Sequence, residues 1–407
     1  MAIRTGQNRP GTMRERSPGH WELRVFISND PATGKPGRAT QTFIGTEKAA
    51  GKALSALVAK VESGKFDRTT ATVGQLLDKW LEFSETNQRQ RPRTIYENRA
   101  KIEKRLRPRL GHLRLDRLNP EVIDAAYGEW LVEGLSPATV SKYHAILSAA
   151  LRQAVKWDWI NRAPTDRATP PSLVRRAMVV PTPEQLMKLV SAAEKFDPVL
   201  ASAIALAALT GMRRGELVAL RWSDIDLVKS RVKVSKSLTV AGGEQHIGPT
   251  KTRASRDLAL DPVCVRVLKF RWAYAVELAE IADSPLDDDP YVLSYNANGA
   301  LPVNPDTLTH RFGSLCRKME EPAIKRLQKA KPKATRDDLA PAKRWSFRFH
   351  DLRHFSVTTL IAAGVDIRTV AERHGHARAT MTLDLYAHAL PERDREAAGI
   401  LGRALNW

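Results

Sequence analysis

Six side chains in the second half of this 407-residue chain have types suited to chemistry on an oxyanion: Arg213, Lys251, His350, Arg353, His376 and Tyr386. Five are cations or hydrogen-bond donors, and the sixth is a nucleophile. Guanidinium forks match the oxygens of a phosphate group and stay ionised at any working pH. The chain has no G-x-x-x-x-G-K-[ST] loop, no G-x-S-x-G turn and no evident carboxylate pair for two metals. Phosphoryl chemistry without nucleotide or metal is what remains, and no cofactor is expected.

Each motif also has a plainer reading. In HGHARATMTLDLYAH (374–388) Tyr386 taken alone reads as a core aromatic with its hydroxyl at the surface. In ALTGMRRGELVALRWSDID (208–226) Arg213 and Glu216 are one helical turn apart and could form a surface ion pair. In WSFRFHDLRHFSVTTLIAAG (345–364) His350 and Arg353 lie three apart, on one face of a helix. His350 and His354 lie four apart, so HDLRH brings the zinc motif H-E-x-x-H into view. Asp351 stands where that motif needs glutamate, and Arg353 would put a fixed cation on the ligand face, so no metal site is expected.

The composition favours an anionic partner. Lys and Arg outnumber Asp and Glu by 65 to 45, a formal charge of +20. A polyanion such as nucleic acid fits that balance. The opening MAIRTGQNRP has no apolar run behind its charges, so a secretory signal is not expected. The longest apolar run, VLASAIALAAL (199–209), is about half of what a bilayer span needs and should be a buried helix. Cys264 and Cys316 lie far apart with no C-x-x-C, which indicates neither a disulfide framework nor a thiolate metal site. These features point to a cytoplasmic protein with no membrane partner.

The elements that must position the six residues can be read from period and punctuation. Residues 1–68 alternate in HWELRVFI (20–27) and RATQTFIG (38–45), so two or three strands are expected there. A helix should follow, with Ala53, Leu54, Leu57, Val58 and Val61 on one face. Residues 73–160 read as helical, the last helix capped by Ser136 with Pro137 at its first position. Within that unit RQRPRTIYENRAKIEKRLRPR (89–109) sets nine cations, among them Arg89, Arg91, Arg93, Arg99, Lys101, Lys104 and Arg105, against Glu97 and Glu103. A charge run is usually a solvated face, but an excess of one sign suits a phosphate backbone. The Pro-rich stretch 161–180 reads as a linker, and Thr182 with Gln185 as a capping box opening a last domain, 181–407. That domain should be mainly helical, interrupted by strands at 230–240 and 246–260, with a basic surface insertion at 321–344.

The ordered set TGMRRGEL, PTKT, HDLRH, GH and a tyrosine ten residues later resembles the catalytic domain of tyrosine recombinases, the phage-type integrases. The likeness covers about 180–390. It implies a multidomain, mainly α protein with small β-sheets: an α+β catalytic domain, a helical core-binding domain and a small β-rich arm-binding domain. By the resemblance Arg213 and Arg353 would clamp the scissile phosphate and Tyr386 would attack it, leaving a 3'-phosphotyrosyl link. Lys251 would be the general acid, His350 an acid/base, His376 a phosphate donor, and Glu216 would orient the site. The seven cations of the 89–105 stretch would contact DNA. The implied partners are duplex attachment sites of core and arm type, a homotetramer on DNA, a DNA-bending host factor and an excisionase, in a bacterial, nucleoid-associated setting. The N-terminal module favours the integrase of a prophage or integrative element over a chromosome-dimer resolvase. A type IB topoisomerase-like strand transferase and a non-catalytic DNA-binding relative are the alternatives. The tail REAAGILGRALNW (395–407) would pack on a neighbouring subunit or on its own domain.

Overall fold

A computed structural model describes residues 11–30, 34, 36–62, 69–87, 90–173, 179–250, 255–331, 335, 338, 344–376 and 403. The chain divides into two compact units, 1–176 and 177–407. Among the described residues no helix is long and apolar enough to cross a membrane.

The first unit opens with an antiparallel sheet, β1 (Gly11–Ser17), β2 (His20–Asn29) and β3 (Pro36–Ile44), in the order β1-β2-β3. Alternation turns Leu23, Val25 and Ala39 inward, where they meet Ala50, Leu54 and Leu57 of α1 (Glu47–Glu62). The strands and helix expected for this segment are therefore both present. Asp30, 3% exposed, accepts from Thr69 Oγ1 at 2.7 Å and from the Thr70 amide at 2.8 Å, which fixes the start of the helical region.

That region begins with α2 (Val73–Thr86) under a Thr72/Gln75 capping box. Next come α3 (Pro92–Lys101), a π-helical turn at Ile102–Leu106, and α4 (Arg107–Leu110). Pro108 has no N–H for the carbonyl of residue 104 and its ring would crowd that carbonyl; the wide turn just before it relieves both problems. The turn also brings Ile102 and Leu106 into the core. Helices α5 (Pro120–Val132) and α6 (Pro137–Lys156) complete the bundle, the latter capped by Ser136 with Pro137 at its first position. The Pro-rich stretch expected as linker is in part docked: Ala163 and Thr165 are buried, and the Thr169 amide donates to Asp124 at 2.7 Å.

The second unit starts with α7 (Pro183–Glu194), whose Thr182/Gln185 capping box is formed, and α8 (Pro198–Thr210), the apolar run, buried nearly all round. Helix α8 ends at Gly211 in the left-handed region, φ +63°, and the chain turns into the short α9 (Arg214–Val218). Strands β4 (Ile225–Asp226), β5 (Arg231–Val234) and β8 (Arg256–Ala259) form one sheet in the order β4-β5-β8. Strands β6 (Lys236–Ala241) and β7 (Glu244–Pro249) form a separate hairpin. The long helices α10 (Pro262–Ile281) and α11 (Pro305–Ala330) follow, then α12 (Asp351–Ala362) and α13 (Ile367–His374). The first ten residues of the expected insertion continue α11 past Pro322, and the chain returns to it where buried Glu320 accepts from the Trp345 amide and Ser346 Oγ.

Candidate active site

The site is assembled at the C-terminal end of α13. A helix end leaves its last carbonyls without amide partners and carries partial negative charge, which attracts cations. Here three consecutive carbonyls each accept from an arginine of a different segment. Arg256 Nε donates to Arg373 O at 2.9 Å, Arg353 Nη2 to His374 O at 2.5 Å, and Arg213 Nη2 to Gly375 O at 2.6 Å. Gly375 lies at φ +63°, and a Cβ there would stand 3.1 Å from Arg256 Nη1 and 3.5 Å from Arg213 Nη1, so glycine admits both guanidiniums.

Each arginine is held from a second side as well. Arg353, on the first turn of α12 and 3% exposed, reaches Gly211 O with Nη1 at 2.5 Å. Arg213 Nη1 meets Glu216 Oε1 at 2.8 Å, and Arg256 Nη2 meets Glu216 Oε2 at 2.7 Å. The plain ion pair foreseen between Arg213 and Glu216 is thus real but not superficial, since Glu216 is 1% exposed. Its two cations outweigh burial and hold the carboxyl below the usual range. Three guanidiniums against one carboxylate leave the cluster at +2.

The histidines divide by burial. His374 is fully buried, its Nδ1 2.8 Å from Val370 O and its Nε2 3.2 Å from Ser356 Oγ; this pairing makes Nδ1 the donor and Nε2 the acceptor of a neutral ring. It is a structural residue. His376, two positions on and half-buried, is the one beside the guanidiniums. Burial, then Arg353 and Arg213, lower its pKa to about 4. His350 caps the start of α12 instead of lying within it, with one side open to solvent and its ring perpendicular to that of His354 at 4.8 Å. Desolvation on its packed side, then His354 and Arg353, bring it to about 4. Asp351 accepts from the Arg348 amide at 2.7 Å and its guanidinium at 2.8 Å. Among the described residues no three metal-binding side chains cluster.

Of the predicted site residues, the fold brings together Arg213, Glu216, Arg353 and His376, with His350 at the head of the helix that carries Arg353. Lys251 and Tyr386 lie outside the described residues, as do Arg89 and most of the C-terminal tail. Of the other expected DNA contacts, Arg91 caps α3 and Lys104 is exposed. Arg93 and Lys101 pair with Glu97, Arg99 with Glu85, and Arg105 with Glu133. The one-sign excess along the sequence is therefore partly offset by carboxylates in space. Such exposed pairs contribute roughly 0–1 kcal/mol each and exchange readily for phosphate.

Arg256 was missed from sequence. A signal existed: on β8 it alternates in register with buried Leu258 and pairs with buried Val234, so a two-residue period places this charge on the inward face.

Two expectations follow from this packing. At Gly211 a Cβ would lie 2.2 Å from His374 Nε2, and the backbone is left-handed. Gly211→Ala should destabilise the second unit by about 2–5 kcal/mol, from left-handed strain plus overpacking, read as a lowered urea midpoint. The second concerns acid. His374 titrates near 3 when folded, through burial and then Arg353, against about 6.5 when unfolded, so the unfolded chain takes the proton first. Stability is full above about 6.5 and falls toward pH 3, at about 1.4 kcal/mol per unit from this residue. Urea unfolding at pH 7.5 and 5 should show a loss to which His374 contributes about 2 kcal/mol, beside like contributions from His350 and His376, so His374→Gln should shrink that loss by about 2 kcal/mol.

Comparison with known proteins adds a second line of information. The family model described as "Phage integrase family" matches residues 180–393, and the "Phage integrase SAM-like domain" matches 75–169. The ICEBs1 integrase of Bacillus subtilis is 29% identical over 267 residues, and that match spans 65% of each protein. The prophage integrase IntR of Escherichia coli is 23% identical, over 88% of this chain and 90% of its own length. Among solved structures, the Tn1549 transposon integrase in complex with transposon right end DNA superposes with a TM-score of 0.65 at 23% identity, over 81% of this chain and 99% of that one. A lambda integrase tetramer bound to a Holliday junction does so with a TM-score of 0.52 at 19% identity, over 94% and 96%.

Proposed function

The chain belongs to the phage integrase family of tyrosine recombinases, and we propose that it cuts and rejoins duplex DNA at specific sites through a phosphotyrosyl intermediate on Tyr386. The observation that carries this reading is the convergence of Arg213, Arg256 and Arg353 on carbonyls 373–375, immediately before His376. Cations fixed in advance by backbone oxygens need little reorganisation when charge develops on a phosphate, which is the condition for electrostatic stabilisation of a transition state. The Arg213 guanidinium has five N–H groups, and its contacts with Glu216 and Gly375 leave donors for phosphate oxygens.

In the forward step the Tyr386 hydroxyl attacks phosphorus, the bond to the 5'-oxygen breaks, and that oxygen takes a proton from Lys251. A tyrosine of ordinary pKa, about 10, is a poor nucleophile at neutral pH and needs a base. His350 is lowered to about 4 and so is neutral at pH 7, free to accept the tyrosine proton. His376, equally neutral, donates one N–H to a phosphate oxygen. Reversal of these steps with the 5'-hydroxyl of another strand rejoins the DNA, and the phosphodiester energy is kept in the protein–DNA bond throughout.

Residues 73–160 would grip the core site, residues 1–68 a separate arm site, and four copies would act on two duplexes. The relatives named as integrases of mobile elements support an integrase over a topoisomerase. The test is incubation with a nicked duplex bearing the attachment site that flanks the gene: a covalent protein–DNA species is expected, and its absence would overturn the reading. Affinity should fall with salt at a log–log slope on the order of −7 for about 8 phosphate contacts, measured by fluorescence anisotropy.

A further inference from the structure

Arg213 by itself is poorly placed as a phosphate clamp. Its Nη1 is 2.8 Å from Glu216 Oε1 and its own amide donates to Oε2 at 3.0 Å, so the pair alone carries no net charge. A carboxylate 1% exposed is also costly to bury on a single ion pair, since its second oxygen then has only the Arg213 amide. Arg256 answers both problems. Its side chain, 10% exposed, places Nη2 at 2.7 Å from Glu216 Oε2 and Nε at 2.9 Å from Arg373 O. Its remaining Nη1 is buried and has no acceptor among the described residues, while lying against Gly375, whose carbonyl holds Arg213. A buried guanidinium donor with no acceptor is uncommon and points to a group supplied from outside.

We propose that Arg256 is a positioning residue for DNA cleavage: by neutralising Glu216 it returns a net positive charge to the Arg213 side of the site and locks the Arg213 fork toward the scissile phosphate. The inference rests on the phosphotyrosyl reading above. The order Glu216 between two arginines, with one carbonyl of the α13 end for each arginine, leaves Arg213 only a narrow range of rotation. Removing Arg256 therefore changes the charge that meets the phosphate as well as the geometry. A role in packing alone would change neither selectively.

The two explanations separate in single-turnover cleavage of the nicked duplex. Wild type must first form the covalent species; if it does not, the phosphotyrosyl reading fails and Arg256 is not at issue. With wild type active, Arg256→Gln is expected to slow cleavage about 100-fold, while affinity for the uncleaved duplex, read in a Tyr386→Phe background, stays within about threefold. Arg256→Lys, which keeps the charge and loses the fork, should lie between the two. The decisive variant is Glu216→Gln/Arg256→Gln, which removes the carboxylate together with its partner and again leaves Arg213 as an uncompensated cation. Recovery of at least tenfold over Arg256→Gln supports the proposal. A double variant as slow as Arg256→Gln, or slower, overturns it. Should Arg256→Gln fail to fold, the double variant carries the test against wild type: cleavage within about tenfold supports the proposal, and a larger loss in a folded protein overturns it.

Discussion

Tyr386→Phe is expected to abolish the covalent protein–DNA species, lowering strand cleavage by at least about 10³-fold while duplex affinity and thermal stability stay at wild-type values. The substitution separates the two readings of this residue because it removes one oxygen and keeps the ring. If Tyr386 were a core aromatic with a wet tip, its packing would survive in phenylalanine and activity with it. If the hydroxyl is the nucleophile, nothing in the described site replaces it: His350 and His376 are proton carriers, and the three arginines have no nucleophilic atom at neutral pH. The measurement is denaturing electrophoresis of protein incubated with nicked attachment-site duplex, with anisotropy on the same samples to show that DNA is bound. A persistent covalent band in Tyr386→Phe would remove Tyr386 from the mechanism and return the core reading to first place.

What could be read from the sequence follows a physical division. Caps and periods are local, so the Ser136 and Thr182 starts and the apolar α8 all stand where spacing puts them. The order of motifs was legible for the same reason, each being a short string. The part that was not legible is the partner of each group. HDLRH suggests His350 and Arg353 side by side on a helix, whereas His350 sits at the cap and Arg353 points into the fold toward Gly211 and His374. Nothing in the string predicts that carbonyls 373–375 would meet guanidiniums from residues 213, 256 and 353. Those contacts depend on where α13 ends in space, a tertiary fact. The same limit applies to the basic stretch in the first unit, whose carboxylate partners Glu85 and Glu133 come from neighbouring helices.

Arg353 is the residue whose loss should cost both function and fold, and the two can be told apart. Its Nη1 and Nη2 bridge Gly211 O and His374 O, each at 2.5 Å, tying the end of α8 to the end of α13. Lysine keeps the charge but is a single point without the planar fork, so Arg353→Lys is expected to leave one of the two buried carbonyls unpaired at a cost of about 1–3 kcal/mol. The consequence for catalysis is larger, because both the Gly211 turn that leads into Arg213 and the carbonyl row that positions Arg213 and Arg256 lose their common brace. Cleavage by Arg353→Lys should fall about 10²–10³-fold, as when a preorganised donor to a developing charge is removed. Arg353→Gln, which also removes the cation from beside His376, should raise the pKa of that imidazole from its depressed value, because Arg353 is the largest charge holding it down. The measurements are single-turnover cleavage at a temperature where urea unfolding shows each variant folded, and titration of the His376 ring by NMR. Cleavage within about threefold of wild type in a destabilised Arg353→Gln would make Arg353 a brace alone, and the positive charge required at the phosphate would then have to come from elsewhere in the site.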